Sequence, residues 1–391
     1  MSSTEPLDFQ SHFAHVEDPR IQRRQLHRLT DILFLAVCAT IAGADGPSDI
    51  EDFGKQKIDW LRRFIELPHG VPSHDTIGRV FSLIQPDQFQ QAFLNWVQDF
   101  WPETLDDNKE EGGGDDDDIH CIPIDGKTLR GSHRRKQGQN PLHLVSAWSA
   151  KNQVTLGQVA VDEKSNEITA IPDLLKRLEL CGAIVSIDAM GCQKEIAKTI
   201  VQGQGDYVLA LKDNQPKLAE AVETYFTQQH EQGFPDVACQ QYEVEEKSRG
   251  RQVHRYYAAA PLPKSMRSFV KDWKGLRSIG QVITITQVDG RETIGVRYYI
   301  MSFAVDVKRF AQSVRSHWTV ENSLHWTLDM TFAEDASRIH QGHAAENFSF
   351  LRKFAISLLK QDTSKGSMRG KRKRAAWSTD FLEKLLFSND I

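Results

Sequence analysis

The sequence has no C-x-x-C pair, and its five cysteines (Cys38, Cys121, Cys181, Cys192, Cys239) are odd in number. Neither a disulfide framework nor a zinc ribbon is suggested, and the thiols read as reduced and mostly buried. A long apolar run is also missing. The longest, Ile32 to Ala42, is broken by Thr40 and falls far short of the ~20 residues of a membrane helix. The first twenty residues hold Glu5, Asp8, Glu17 and Asp18 before their one base, Arg20, and no apolar signal core, so the chain is expected in the cytoplasm. With 40% hydrophobic, 26% charged and 9% aromatic residues, collagenous, wholly disordered and coiled-coil classes do not fit. What remains is 391 residues of globular composition, room for two or three domains with a real core.

Charge has to be read by segment. The net charge of −5 argues against a polyanionic partner, but residues 103–118 alone carry nine acids against Lys109, which leaves the remainder at +3. Basic runs stand at Arg20, Arg23, Arg24 and Arg28, at Arg130, Arg134, Arg135 and Lys136, and, most densely, at Lys365, Arg369, Lys371, Arg372, Lys373 and Arg374. Solvated surface explains any one of them; three together point to a polyanion.

Apolar spacing of three and four marks residues 1–101 as a helical region, with Ser73 as an N-cap and the stretch from Ser73 to Phe81 as a possible second helix of a helix-turn-helix. Residues 102–118, rich in Gly and Asp, read as a linker. Strands follow at Ile119–Ile124, Leu142–Ala150 and Val154–Val161, then helix, strand, helix and strand to Leu211, which predicts an α/β layer with a mixed sheet and helices on both faces. Strand-rich residues 231–304 read as an insertion, and helices return at Val307–Met330 and His343–Gln361, the close of a core spanning 119–361; residues 362–391 read as a basic tail.

Two aspartates end apolar strands, Asp125 after Ile122-Pro-Ile and Asp188 after Ile184-Val-Ser-Ile, and sites on α/β sheets gather near the carboxyl ends of strands. Asp125-Gly126 is equally a turn dipeptide, and Asp188 equally a helix cap. A third acid separates these readings. On one helix Phe310, Val314, Glu321, Leu324 and Leu328 share a stripe, so Glu321 is expected to point inward. A buried carboxylate needs a proton or a cation, and three converging acids suit Mg²⁺, or Mn²⁺ in its place, which in pairs promote in-line displacement at phosphodiesters. A rival set, His317, Glu321 and His325 at spacing four and four, suits zinc but leaves both strand-end aspartates unexplained.

Four motifs carry a resemblance: Asp125-Gly-Lys-Thr-Leu-Arg-Gly-Ser, Ser186-Ile-Asp-Ala-Met-Gly-Cys-Gln, Tyr207-Val-Leu-Ala-Leu-Lys-Asp-Asn-Gln, and His317-Trp-Thr-Val-Glu-Asn-Ser-Leu-His-Trp-Thr-Leu-Asp. They resemble the DDE transposases of bacterial insertion sequences, in particular the H-repeat-associated branch, over about Phe9 to Gln361. The resemblance implies an RNase H-like catalytic core with a β-rich insertion and an N-terminal helical domain. It further implies Asp125, Asp188 and Glu321 as catalytic metal ligands, double-stranded DNA as partner at element ends and target, and a homodimer in the DNA complex. The Tyr-x₂-Arg-x₃-Glu-x₆-Lys signature of the wider superfamily is replaced by Val314, His317 and Leu328. Phosphate contact is therefore expected from His317, Lys127, Arg130 and Lys212, with Arg372, Lys373 and Arg374 in the tail. Trp318 and Trp326 are candidates to stack on an unpaired base, or else core residues. A nuclease that cuts without joining, and an inert DNA-binding descendant of a transposase, are the alternatives.

Overall fold

The computed structural model describes residues 9–21, 23, 25–133 apart from 101–118, 140–161, 166–248 and 251–387. The acidic stretch 102–118 and Arg24, Arg134, Arg135 and Lys136 lie outside the described residues. Among the described residues no helix is long and apolar enough to cross a membrane.

The helical region holds α1 (Phe9–Phe13), α2 (Leu29–Ile41), α3 (Pro47–Gln56), α4 (Ile58–Leu61), α5 (His74–Leu83) and α6 (Pro86–Phe100). Ser73 caps α5, its hydroxyl accepting from the Thr76 N–H. α2 is apolar around its whole circumference, so it must be covered on all sides, and every residue but Thr30 is buried. The cover comes from the other end of the chain. α12 (Ala344–Gln361), α13 (Met368–Trp377) and α14 (Thr379–Phe387) contribute Phe350, Phe354, Leu382, Leu385 and Leu386 to the same apolar core as Phe34, Phe89 and Trp96. The expected basic tail is thus two packed helices, and 344–361 belongs with the N-terminal helices as much as with the sheet.

The sheet begins with β1 (Cys121–Thr128), β2 (His143–Ser149) and β3 (Val154–Val161), an antiparallel meander. Then come α7 (Glu167–Leu175), β4 (Ile184–Ile187), α8 (Lys194–Gln202), β5 (Asp206–Leu211) and α9 (Pro216–Glu231), with β4 parallel to β1 and β5 parallel to β4. Strands β6 (Gln240–Ser248), β7 (Arg251–Pro261), β8 (Ser278–Val288) and β9 (Arg291–Met301) do not form a separate lobe. They extend the same sheet in the order β3-β2-β1-β4-β5-β9-β8-β7-β6.

Alternation along the strands sorts the core into two faces. Ile122, Ile124, Val185, Ile187, Tyr207 and Leu209 face the side of α7, α8 and α9. Cys121, Ile184 and Val208 face α10 (Val307–Thr319) through Phe310 and Val314. Helices therefore cover both faces of a mixed sheet, as the sequence predicts.

Candidate functional site

The strand register builds the site. β1 and β4 pair in parallel with Ile124 opposite Ile187, so the next residues, Asp125 and Asp188, stand side by side on neighbouring strands, about 5 Å apart. By the same alternation Asp125, Ser186 and Asp188 share the α10 face, and α10 carries His317 over Ser186, Nδ1 to Oγ 3.2 Å.

Asp188 Oδ1 accepts from the N–H groups of Met190 (3.0 Å) and Gly191 (3.2 Å), a turn that fixes the carboxylate at the strand end. Asp125 Oδ1 accepts from the Gly126 N–H at 2.9 Å, while Oδ2 lies 3.4 Å from His325 Nδ1. Burial pushes the Asp125 carboxyl up to about 7; the Gly126 N–H opposes this, and the negative fields of Glu321, Asp188 and Glu167 add to it. The three acids named in the sequence thus feel one another electrostatically. Gly126 leaves room on the opposite face of the sheet for the Glu167 carboxylate and His143, which a Cβ there would push aside.

Glu321 corrects the expectation of an inward-facing acid. Past Thr319 the chain makes a π-helical turn, Val320–His325, before α11 (Trp326–Met330). The wider turn moves the buried stripe to Val320, Leu324 and Leu328, and leaves Glu321 exposed. It lines a cleft of about 510 Å³ together with Asp188, Lys212, His317 and Trp318. The zinc set does not form: His317 turns to Ser186 and His325 to Asp125. Among the described residues no three His, Cys, Asp or Glu side chains stand close enough to hold one ion. Burial lowers His317, and burial with the charges of Lys353 and Lys127 takes His325 down to about 3.

Of the expected phosphate contacts, Lys212 is exposed at the cleft and Arg130 is exposed with Nε 3.4 Å from Asp335. Lys127 is a correction. It is buried, with Nζ 2.7 Å from Asp329, 3.1 Å from Asp335 and 3.5 Å from Glu334, so its charge balances the interior and ties β1 to the segment after Glu321. Arg372 is a second correction, buried and donating to the carbonyls of Thr40, Ala44 and Thr331 and to Asp45. Arg374 is half-buried against Phe381 and donates to Ser364, whereas Lys373 is exposed. In the first basic run, Arg20 pairs with Asp18 and Arg28 with Glu66. Trp326 is 58% exposed, and Trp318 is half-buried under the Arg297 guanidinium, 4.7 Å from its ring. Arg297 went unnoticed in the sequence because nothing in a strand pattern ties it to Trp318.

A meander β1–β3, the parallel strands β4 and β5, the strand order 3-2-1-4-5 and helices on both faces define an RNase H-like core, with Asp125 and Asp188 just past the β1–β4 ladder and Glu321 lining the cleft beside Asp188. Residues 117–358 match the transposase DDE domain, and residues 10–97 match the domain associated with it. The chain belongs to the DDE transposase family. It is 41% identical to the putative transposase YncI of Escherichia coli O157:H7 over 95% of this chain and 93% of that one. It is 39% identical to the H repeat-associated putative transposase YhhI of Escherichia coli K12 over 97% and 98% of the two chains. Among solved structures it is similar to piggyBac transposase in a synaptic complex with hairpin DNA, at TM-score 0.40 and 11% identity over 98% of this chain and 81% of that one.

Proposed function

We propose that the protein is a catalytically competent transposase that binds the ends of its own DNA element, hydrolyses the phosphodiester there, and joins the freed 3′ hydroxyl to a target. The observation that carries this reading is that the β1–β4 ladder stops at Ile124 opposite Ile187, so Asp125 and Asp188 follow side by side, with Glu321 near enough that its charge adds to the burial that takes Asp125 up to about 7. A carboxyl so poised at neutral pH belongs to a site short of positive charge.

Hard carboxylate oxygens suit Mg²⁺ or Mn²⁺, and Asp125 and Asp188 with Glu321 would hold such an ion after closing in on it, since among the described residues no three acids stand close enough to share one. Bound there, such ions make a nucleophile of water or a 3′ hydroxyl and stabilise the leaving oxygen. The chain's own residues do the rest. The Asp188 turn and the Asp125 backbone bond hold two carboxylates still. His317, hydrogen-bonded to Ser186, orients the helix that brings Glu321 to the cleft. Lys212 at the cleft and Arg130 beyond it are placed to meet phosphates.

The test is cleavage and joining of a labelled element end by purified protein with Mg²⁺, Mn²⁺, Zn²⁺ or chelator. Asp125→Asn, Asp188→Asn and Glu321→Gln should each abolish both steps while the proteins stay folded, and Mg²⁺ should raise the melting temperature of wild type more than that of any variant. Undiminished cutting in chelator, or wild-type cutting by any of the three variants, refutes the assignment. Cutting without joined product makes the protein a nuclease.

A further inference from the structure

A groove of about 750 Å³ adjoins the acidic cleft and shares Arg297, Tyr299, Val314, Trp318 and Glu321 with it. Its floor is one face of the ribbon β7-β8-β9. Register places Arg297 beside Val282 in the row nearest Trp318, then Arg255, Thr284 and Gly295 in the next row, then Thr286 and Thr293, and Arg251 at the outer end. From the Arg297 row to the Arg251 row is six residues along a strand, about 20 Å. That is the rise of about six base pairs.

The chemistry of this face is cations and hydroxyls. Arg251 and Arg297 are exposed, and Glu246, the acid of the lining other than Glu321, is already neutralised by Arg255 at 2.6 Å and Arg315 at 2.5 Å. Gly295 keeps the middle open, since a Cβ there meets nothing within 4 Å. Arginine and threonine side chains are among the groups that hold DNA by its phosphates.

We infer that this ribbon face is a track for the sugar-phosphate backbone of duplex DNA running outward from the acidic cleft. The inference rests on the transposase reading and adds to it a path for the DNA. It places two phosphate contacts on Arg251 and Arg297 and leaves room at Gly295 for the backbone to pass.

Two variants test it. Arg251→Gln combined with Arg297→Gln should weaken binding of a labelled duplex, of end or unrelated sequence alike, by about tenfold or more at low salt, and should lower the slope of log affinity against log salt by about two. Gly295→Phe, whose Cβ meets no neighbour, should weaken binding with an unchanged melting temperature. Wild-type affinity and slope in both variants overturn the track. Weaker binding by Gly295→Phe with an unaltered slope in the arginine variant overturns the phosphate assignment. Wild type that fails to bind any duplex at low salt refutes the transposase reading itself, a result separable from the other two.

Discussion

Asp125 ties its own chemistry to the stability of the fold. Its carboxyl, ordinarily near 3.8, is held at about 7 in the folded chain by burial and by the neighbouring acids. Between these values the folded state binds more protons than the unfolded one, so stability falls as pH rises from about 4 to about 7, and the full penalty stands above that. Three units at 1.36 kcal/mol each set an upper bound of about 4 kcal/mol. Asp125→Asn should therefore be more stable than wild type at pH 8 without divalent ions, with the advantage gone by pH 4. Urea denaturation at the two pH values checks it, and a difference independent of pH would mean that the carboxyl is not so perturbed. The strand that stops before Asp188 was legible in the sequence, because an apolar run closed by an acid is a local pattern, whereas β1 runs on through Asp125 to Thr128, held by its pairing with β2. The state of the histidines and of Lys127 was not. It depends on partners distant in the chain: His317 on Ser186, 131 residues away, and Lys127 on Asp335, 208 residues away, while His325 also feels the charge of Lys353 on another helix.

Elements set where Glu321 goes. Periodicity located the helix from Val307 correctly, and its first half packs as expected, with Phe310 and Val314 buried against the sheet. The second half was misread because a π-helical turn has no period of its own to show in a sequence; one wider turn carries Glu321 from the stripe to the cleft. The same limit applied to β6–β9, whose alternation gave the strands but not their continuity with the core sheet. One contact reports how tightly the glutamate-bearing helix is seated. Gly280 on β8 lies under Phe310, and a Cβ there would come 2.6 Å from the ring. Gly280→Ala should therefore push α10 off the sheet, cost about 1–3 kcal/mol of overpacking and lower cleavage, since the same helix leads to Glu321. Denaturation and a cleavage assay measure the two effects; wild-type values in both would show that α10 is free to shift without moving the site.

At the scale of the whole molecule, the two ends of the chain close on each other. α2, apolar all round, required partners that local pattern could not name, and α12, α13 and α14 supply them. The densest basic run in the sequence lies in α13, and from composition alone it read as a tail for phosphates. Packing divides it. Arg372 is buried, stacked on Phe332 with its guanidinium 4.1 Å from the ring, and joins α13 to α2 and to the segment after Glu321 through Thr40, Ala44 and Thr331. Its neighbour Lys373 is exposed. Arg372→Met should cost about 3 kcal/mol or more, since it leaves several buried carbonyls without a donor, and any loss of DNA binding should follow the loss of fold. Lys373→Glu should stay within about 0.5 kcal/mol of wild type, as exposed substitutions do. If α13 also faces DNA, the Lys373 change will lower the salt slope of binding by about one with the melting temperature untouched. Equal stability of the two variants would show that Arg372 does not hold the ends together, and the joined helical core would have to rest on its apolar contacts alone.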